Sequence, residues 1–261
     1  MNDEVILYLL QILQKYQARD LSKHIDAIAQ LKATLQKWAG GCFLEIKISG
    51  SRAKGTAISL ASDVDFMVSL KSGCNENRGG LKSIHTSLYA KLVQEYRFVR
   101  KQNVSLRINL SGIEVDITPA RKQVGNTNNH NLYVSKFDTW KQTNIQKHIV
   151  DIQRSGRTPE IKLIKIWREL NKLEFPSVYL EYLIIDTILL NKPKDVANLK
   201  NNIIHIFTEL ARNVGNPLNA RVIDPANTGN VLSDLLNQKE KAIIISAAKR
   251  SLEQQWNQVF F

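Results

Sequence analysis

Two aspartates have the spacing expected of a divalent-metal site. Asp63 and Asp65 stand two residues apart at the start of segment 63–70, whose pattern predicts a β-strand. Side chains two apart on a strand point to the same face. Fixed carboxylates are disfavoured in an apolar setting unless a positive charge compensates them, and divalent cations bind such oxygen ligands. The pair indicates metal binding, and the alternative is a solvated acidic face on an edge strand.

A third carboxylate, Asp116, belongs to a second predicted strand. Residues 113–118 alternate between apolar and polar, which places Asp116 and Glu114 on one polar face. Ser111-Gly112 separates this segment from a similar one at 104–110, a pattern that predicts a hairpin. If the strand lies beside the first, three carboxylates converge and can hold two Mg²⁺ (or Mn²⁺) ions, with a nucleoside triphosphate completing the shell. Asp116 is the preferred residue to activate an attacking hydroxyl, and Glu114 is the second choice.

A short segment between these features has the composition of a phosphate-binding loop. Gly50-Ser51 follows a predicted strand at 43–48 and is expected to open a helix. Glycine allows the backbone to approach a ligand closely, and free amides at a helix N-terminus can hold phosphate oxygens. Ser51 adds a hydroxyl donor and Lys54 adds positive charge. The alternative is an ordinary Gly-Ser turn before a helix.

The remaining pattern predicts the elements that position these residues. Periodicity predicts one long helix over 3–38 and another over 81–96. Helical periodicity dominates the second half, through 144–155, 159–171, 178–190, 196–212 and 238–256. We therefore predict an α+β fold with a mixed sheet, flanking helices and a long N-terminal helix in residues 1–145, followed by an α-helical domain in residues 146–261.

Charge and cysteine content narrow the class of protein. The 36 Lys and Arg residues exceed the 24 Asp and Glu residues, for a formal net charge of +12. Such a field attracts polyanions, including nucleotides and RNA. No apolar run approaches the roughly 20 residues that cross a bilayer, so no membrane partner is expected and the protein is predicted to be cytoplasmic. Cys42 and Cys74 are expected to be two reduced thiols.

The ordered motifs resemble those of the polymerase-β-type nucleotidyltransferase superfamily. The resemblance rests on Gly50-Ser51, Gly55-Thr56, Ser62-Asp63-Val64-Asp65 and Val115-Asp116. The string over 50–70 is especially similar to the 2′-5′-oligoadenylate synthetases and to their bacterial relatives, the cyclic GMP-AMP synthase/DncV-like nucleotidyltransferases (CD-NTases). Downstream segments at 159–167, 177–181 and 223–227 resemble later elements of the same group.

The resemblance implies both a fold and a set of site residues. The fold is a polymerase-β-like core followed by a helical domain similar to that of oligoadenylate synthetases and poly(A) polymerases. Asp63, Asp65 and Asp116 are implied to bind metal, and Gly50 and Ser51 to hold the triphosphate of a nucleotide.

Two further contacts with the nucleotide follow from the resemblance to the helical half. Lys165 is implied to reach the triphosphate, and Lys162, three residues earlier, shares its helix face. The alternative is that both are solvated surface lysines. Tyr179 or Tyr182 would stack on the base, unless it is a core aromatic.

The implied activity is the joining of nucleotides with release of pyrophosphate. The substrates are nucleoside triphosphates, with ATP expected, and the product is an oligonucleotide or cyclic nucleotide signal. The alternative in the same chemistry is template-independent addition of nucleotides to RNA 3′ ends, in which RNA is the acceptor; an RNA activator also stays open. Two non-catalytic alternatives are a nucleotide-binding module and a structural nucleic-acid-binding protein.

Overall fold

The computed structural model describes residues 2–61 and 63–261 of the chain. Ser62, which belongs to the acidic motif, lies outside the described residues. In the described part of the chain, no helix combines the length and the apolar character that crossing a bilayer requires. Helices and strands are both abundant, and the predicted α+β class is confirmed.

The helices expected after residue 140 are present, together with those of the first half. Within the described residues, the α-helices are α1 (Asn2–Lys15), α2 (Ile25–Ala39), α3 (Gly50–Lys54), α4 (Gly80–Glu95), α5 (Ile145–Ser155), α6 (Thr158–Leu170), α7 (Ser177–Leu183), α8 (Leu199–Leu210), α9 (Gln238–Glu253) and α10 (Trp256–Val259). A π-helical turn, Ile184–Ile188, directly continues α7. Predicted and observed helix ends differ by a few residues in several places, as expected for frayed termini.

The segment predicted as one helix over 3–38 is two helices in the structure. α1 ends at Lys15, and α2 begins at Ile25. Between them, the Asp20 side chain accepts hydrogen bonds from the backbone nitrogen and the hydroxyl of Ser22, at 3.0 and 2.5 Å. Such local side-chain bonds compete with helix formation. The apolar periodicity continues across this interruption, which is why periodicity alone over-extended the helix.

The strands include those predicted from alternation and several that were not. Within the described residues they are β1 (Phe43–Ile48), β2 (Val64–Leu70), β3 (Val99–Lys101), β4 (Leu106–Leu110), β5 (Ile113–Lys122), β6 (His130–Val134), β7 (Thr139–Thr143), β8 (Ile223–Asp224) and β9 (Asn227–Val231). The predicted hairpin is confirmed: Leu110 pairs with Ile113, and Ser111 and Gly112 have positive φ values of 52° and 91°. Positive φ at both central residues is the conformation of a type I′ turn, which suits two-residue hairpins.

Internal contacts divide the described chain into two compact units. The helical unit contains the chain up to Ala18, Gly55–Ala61 and Val150–Phe261. The sheet unit contains Arg19–Lys54 and the chain from Asp63 to Ile149. The domain boundary predicted after residue 145 stays a prediction. The N-terminal helix α1 was predicted to belong to the first domain, but by its contacts it belongs to the helical unit.

The sheet unit is built on one mixed sheet. Among the described residues, seven strands join in the order β1-β2-β5-β4-β3, with β6 beside β5 and β7 beside β6. β2 and β5 are parallel, while β1 with β2 and β4 with β5 are antiparallel. α2 and α4 contribute apolar side chains to a core that includes the inward residues of β2, β4 and β5. The alternation of β5 confirms the predicted burial of its apolar face, with Val115 and Ile117 fully buried.

The helical unit has its own apolar core, which includes residues from α1, α6, α7, α8 and α9. Trp167 is a fully buried member of this core, and its indole nitrogen donates to the Ser251 hydroxyl at 2.8 Å. The hydroxyls of Tyr8 and Tyr16 donate to backbone carbonyls of the last two residues of the chain. Buried indole and phenol groups that find polar partners allow large aromatic surfaces to pack without an unsatisfied donor.

The two cysteines correct one prediction. Cys42 and Cys74 form a disulfide, with their Cα atoms 5.6 Å apart, so the expectation of two reduced thiols is wrong. Cys42 directly precedes β1, and Cys74 lies four residues after the end of β2. The antiparallel pairing of β1 with β2 brings these ends together, as the hydrogen bond from Lys71 nitrogen to the Cys42 carbonyl at 2.9 Å shows. That pairing was not predicted from the sequence.

Candidate metal centre and nucleotide-binding loop

Two neighbouring parallel strands carry Asp65 and Asp116. The register of β2 and β5 sets these two residues directly beside each other. Asp63 stands one residue before β2, and its side chain is 39% exposed, against 14% for Asp116. The three carboxylates are close enough to influence one another electrostatically. The convergence of the three carboxylates was predicted only if the strand of Asp116 lies beside that of Asp65, and the two strands are neighbours.

The cluster is short of positive charge at its buried end. The pKa of Asp65 is raised to about 6, first by burial and then by the neighbouring carboxylates of Asp116 and Asp63. Lys54 and Arg107 oppose this shift. Burial also raises the pKa of Asp63, and the Arg107 guanidinium opposes that rise. Carboxylates whose charged forms are disfavoured in this way provide a favourable environment for a further cation.

Arg107 of β4 lies among these carboxylates and was not a predicted site residue. Its Nε and Nη2 atoms donate to the two carboxylate oxygens of Asp116, each at 2.7 Å. Nη2 also donates to Asp63 Oδ2 at 2.5 Å, and Nη1 donates to Glu114 Oε2 at 2.6 Å. The hydrogen bond to Asp116 is the main reason that the pKa of Arg107 is raised above its usual value. We call Asp63, Asp65, Asp116 and Glu114, with Arg107, the acidic cluster.

The donor chemistry of the acidic cluster fits a divalent cation. Carboxylate oxygens are the ligands that Mg²⁺ and Mn²⁺ prefer. Asp63, Asp65 and Asp116 supply them, and the raised pKa of Asp65 marks a carboxylate that a cation would stabilise. As they stand, however, no three Asp, Glu, His or Cys side chains among the described residues are arranged to hold a metal ion. Arg107 bonds both oxygens of Asp116 and one of Asp63 instead.

The predicted phosphate loop packs directly on this cluster. Gly50 begins the five-residue helix α3 with a φ of +60°, and a Cβ built at this position would lie 1.8 Å from Asp65 Oδ2. Glycine is therefore required by Asp65 itself, in addition to the predicted closeness of a ligand. Lys54, at the end of α3, is buried, and its charge lowers the pKa of Asp65. Ser51 is half-buried, and triphosphate binding by Gly50, Ser51 and Lys54 stays a prediction.

Comparison with known proteins gives structural matches only. No protein-family model matches the chain, and no curated protein matches its sequence. The CD-NTase CdnG of Bradyrhizobium diazoefficiens in complex with GTP superposes with a TM-score of 0.77 at 14% identity, over 98% of this chain and 95% of that one. E. coli MS115-1 CdnC with ATP superposes with a TM-score of 0.69 at 22% identity, over 94% and 89%.

A cytoplasmic RNA terminal U-transferase is also similar, with a TM-score of 0.71 at 10% identity, over 99% of this chain and 97% of that one. The chain has the polymerase-β-like nucleotidyltransferase fold. The predicted core and helical half are thereby confirmed as architecture. At these identities the likeness concerns the fold, and the roles of individual residues rest on the geometry of the chain itself.

Within this nucleotidyltransferase fold, Lys165 of α6 is a buried residue. It is 2% exposed, and its ammonium donates to Glu181 Oε1 at 2.6 Å and to Thr56 Oγ1 at 2.9 Å. Thr56 also donates to Glu181 Oε1 at 3.0 Å, and Glu181 is fully buried. We call Lys165, Glu181 and Thr56 the buried lysine cluster. Lys165 is thus no solvated surface lysine, and its predicted contact with a triphosphate stays a prediction; Lys162 is half-buried.

The two tyrosines predicted as base-stacking candidates occupy the core of the helical unit. Tyr179 is fully buried, its ring stands edge-on to Phe175, and its hydroxyl donates to the Leu218 carbonyl at 3.2 Å. Burial raises the pKa of Tyr179 to about 12. Tyr182 is 1% exposed, and its hydroxyl donates to Asp151 Oδ2 at 3.0 Å. Because neither ring has an exposed face, both tyrosines are core aromatic residues in this structure. Tyr179 is therefore not retained as a residue that stacks on a base.

Proposed function

We propose that the protein is a metal-dependent nucleotidyltransferase that uses nucleoside triphosphates, ATP among them, and releases pyrophosphate. The observation that carries this proposal is the pairing of Asp65 with Asp116 on adjacent parallel strands, with Asp63 beside them. In a fold whose similar structures include nucleotide-bound CD-NTases, this pairing supplies the acidic residues that such chemistry needs. A nucleotide-binding module or a structural nucleic-acid-binding protein would not need a half-buried carboxylate pair.

In this proposal the three aspartates bind metal, and one of them also accepts a proton. Asp63, Asp65 and Asp116 would hold two divalent cations, Mg²⁺ or Mn²⁺. When bound, such ions polarise the phosphoryl group and neutralise charge that develops on the attacking and leaving oxygens. Asp116 is the residue assigned to take the proton from the attacking hydroxyl, at one of its carboxylate oxygens. It is the more buried partner of Arg107, and its Cα lies beside that of Asp65.

The donor nucleotide would be held by the loop that packs on Asp65. Gly50 has no side chain that would hold the loop away from Asp65, so a phosphate bound by the loop would lie near the proposed metal ligands. Ser51 contributes a hydroxyl donor to this loop. Lys54 adds positive charge within electrostatic reach of Asp65. Their role is orientation, since phosphoryl transfer depends mainly on positioning and electrostatic stabilisation.

We propose a second nucleotide as the acceptor, which makes the product an oligonucleotide or a cyclic nucleotide. The likeness to CdnG with GTP and CdnC with ATP, over most of each chain, supports this choice. The alternative acceptor is an RNA 3′ end. Two observations favour that alternative: the likeness to a terminal U-transferase over 97% of its chain, and the net charge of +12.

Product analysis tests the reaction and distinguishes the acceptors. Purified protein is incubated with each labelled nucleoside triphosphate and Mg²⁺ or Mn²⁺, with and without an RNA oligonucleotide. Pyrophosphate release and phosphatase-resistant products without RNA support nucleotide-to-nucleotide transfer. Extension of the added RNA alone supports end addition. Absence of pyrophosphate release in every mixture would overturn the proposed activity.

Matched variants on β5 test the assignment of Asp116. Asp116→Asn is expected to lower the rate by about a thousandfold, because loss of a metal ligand removes several kcal/mol of charge stabilisation. Glu114→Gln is the control, since Glu114 lies two residues away on the same face and also bonds Arg107. It is expected to retain most of the activity. If Glu114→Gln is as inactive as Asp116→Asn, the third metal ligand has been wrongly assigned.

A further inference from the structure

Arg107 lies between carboxylates of the acidic cluster and bonds most of them. Its side chain is 18% exposed, and it bonds three of the four carboxylates at 2.5–2.7 Å. The contact with Asp116 is a two-pronged one, in which both carboxylate oxygens accept hydrogen bonds from one guanidinium. Such planar, bidentate contacts are among the stronger charge-assisted hydrogen bonds in proteins.

These bonds engage oxygens that a metal ion would also need. A Mg²⁺ ion requires oxygen ligands at about 2.0–2.1 Å in near-octahedral geometry. A guanidinium nitrogen already stands 2.7 Å from each Asp116 oxygen and 2.5 Å from Asp63 Oδ2. A cation coordinated by the same oxygens is therefore repelled by the guanidinium, and at least one of these hydrogen bonds has to weaken when it binds.

The fold keeps Arg107 in this position by register. Leu106 and Ile108 are buried on the apolar face of β4, so Arg107 points to the polar face. The β4–β5 ladder pairs Arg107 directly with Asp116. The backbone of Arg107 is therefore held beside that of Asp116 by the hairpin rather than by a loop, which keeps the guanidinium within reach of the carboxylate.

We propose that Arg107 is a positioning residue that holds Asp63 and Asp116 in the metal-free protein and competes with divalent cations for them. This inference rests on the proposed function, because it assumes that the two aspartates are metal ligands. Arg107 places a positive charge among the carboxylates and offsets their mutual repulsion. The consequence is weak binding of a divalent cation to the protein alone.

Direct measurement of Mn²⁺ binding without nucleotide tests the competition. Mn²⁺ is titrated into the full chain, and free Mn²⁺ is followed by electron paramagnetic resonance. Arg107→Gln is expected to lower the Kd for Mn²⁺ at least about tenfold, because it removes the competing cation from an acidic site. Arg107→Lys keeps the charge but cannot form the two-pronged contact, so its Kd is expected to lie between those of wild type and Arg107→Gln.

Arg100→Gln is the matched control. Arg100 Nη2 lies 3.8 Å from Glu114 Oε1, so this variant removes one positive charge from the edge of the same cluster while leaving Asp63 and Asp116 untouched. Its Kd is expected to stay within about twofold of wild type, as for exposed charges screened by solvent. Equal tightening by Arg100→Gln and Arg107→Gln would show a general charge effect and overturn the proposal.

Unchanged or weaker Mn²⁺ binding in Arg107→Gln would overturn it too, since Arg107 would then not compete. Thermal unfolding of each variant establishes that it is folded, and Arg107→Lys carries the test if Arg107→Gln is not. Failure of this inference is separable from failure of the proposed function. In the first case wild type still releases pyrophosphate in an Asp116-dependent way; in the second it does not.

Discussion

The acidic cluster and the buried lysine cluster treat charge in opposite ways. In the helical unit, Lys165 and Glu181 are both buried, carry one charge of each sign, and are joined by a 2.6 Å contact; Thr56 bonds both of them. In the sheet unit, the Arg107 guanidinium bonds three of the four carboxylates of the acidic cluster, and the side chains of these three are 14–48% exposed. A balanced, buried pair is a structural feature of a core, whereas an unbalanced, half-exposed group has capacity to bind a ligand.

The same comparison separates two of the predicted site residues, Asp65 and Lys165. The sequence predicted both Asp65 and Lys165 as site residues, the first from its strand pattern and the second from the family resemblance alone. The structure gives Asp65 a raised pKa and a shortage of positive charge, and gives Lys165 a dedicated acidic partner. The aspartates are therefore the stronger candidates for contact with substrate and metal.

The largest expected effect is on the buried lysine cluster. Lys165→Met should lower the free energy of unfolding by about 3–5 kcal/mol, because it leaves the buried Glu181 carboxylate without its counter-charge. Asp63→Asn is the contrasting variant. It removes one acid from a cluster with an excess of them, at a side chain that is 39% exposed, so a change below about 1 kcal/mol is expected.

Urea unfolding of the two variants measures both values. The double variant Lys165→Met/Glu181→Leu should recover much of the loss, since replacing both members of a buried pair by apolar residues is often nearly neutral. If Lys165→Met lowers the free energy of unfolding by no more than Asp63→Asn does, the buried ion pair is not more important for stability than the acidic cluster, and the comparison is wrong. Titration of ATP into folded Lys165→Met would show whether Lys165 also contacts a triphosphate.

A middle-sized effect is expected where the loop packs on the acidic cluster. Gly50→Ala should lower the free energy of unfolding by about 1–2 kcal/mol from its positive φ, and by about 1–3 kcal/mol more from the displacement of Asp65. Gly55→Ala is the matched control, because Gly55 has a φ of +76° but nothing within 4 Å of an added Cβ. Unfolding curves of the two variants side by side isolate the contact with Asp65. Equal losses would remove Asp65 from the explanation of Gly50.

The smallest effect concerns a buried group that is kept neutral. His130 is 3% exposed, with Nε2 at 2.8 Å from the Ser69 hydroxyl, and burial lowers its pKa. The unfolded chain takes up a proton below about pH 6.5, while the folded chain resists it. The contribution of His130 to stability is therefore kept above that pH and lost as the pH falls, by at most about 1.4 kcal/mol per pH unit.

Unfolding free energies between pH 7.5 and 5.5 check this dependence. His130→Gln should lose less stability on acidification than wild type, and His205→Gln on α8 serves as the control substitution. Equal slopes in wild type and His130→Gln would contradict the assignment of a neutral His130; the raised pKa of Asp65 acts in the opposite direction over this range and is common to both proteins. The test sharpens the comparison, because it separates a buried neutral group of the sheet unit from the charged groups of the acidic cluster.

Local patterns in the sequence predicted most of the sheet unit that carries the site. Alternation in 113–118 fixed which side of β5 is buried, and therefore the face of Asp116. The same patterns contained Arg107. With a two-residue turn at Ser111-Gly112, Leu110 pairs with Ile113, and counting back along both strands sets Arg107 opposite Asp116. The family resemblance concerns acidic motifs and does not include Arg107, so this basic residue opposite Asp116 was not predicted as part of the site.

Other features depend on packing that no local pattern records. The partner of Lys165 is Glu181 on the next helix, and the two meet only because α6 and α7 pack in one core. The disulfide requires the pairing of β1 with β2, which the sequence did not establish. β6 and β7 were missed because residues 130–143 are largely polar, and their strand character comes from their neighbours in the sheet.

The parallel ladder between β2 and β5 has a consequence for the order of folding. Arg107 and Asp116 are nine residues apart in one hairpin, whereas Asp65 and Asp116 are separated by about fifty residues and a crossover that contains α4. Closing a short loop costs less chain entropy than closing a long one, and hairpins form within microseconds. We therefore expect Arg107 and Asp116 to pair before Asp65 packs beside them. The positive charge of Arg107 is then present before the carboxylates come together during folding.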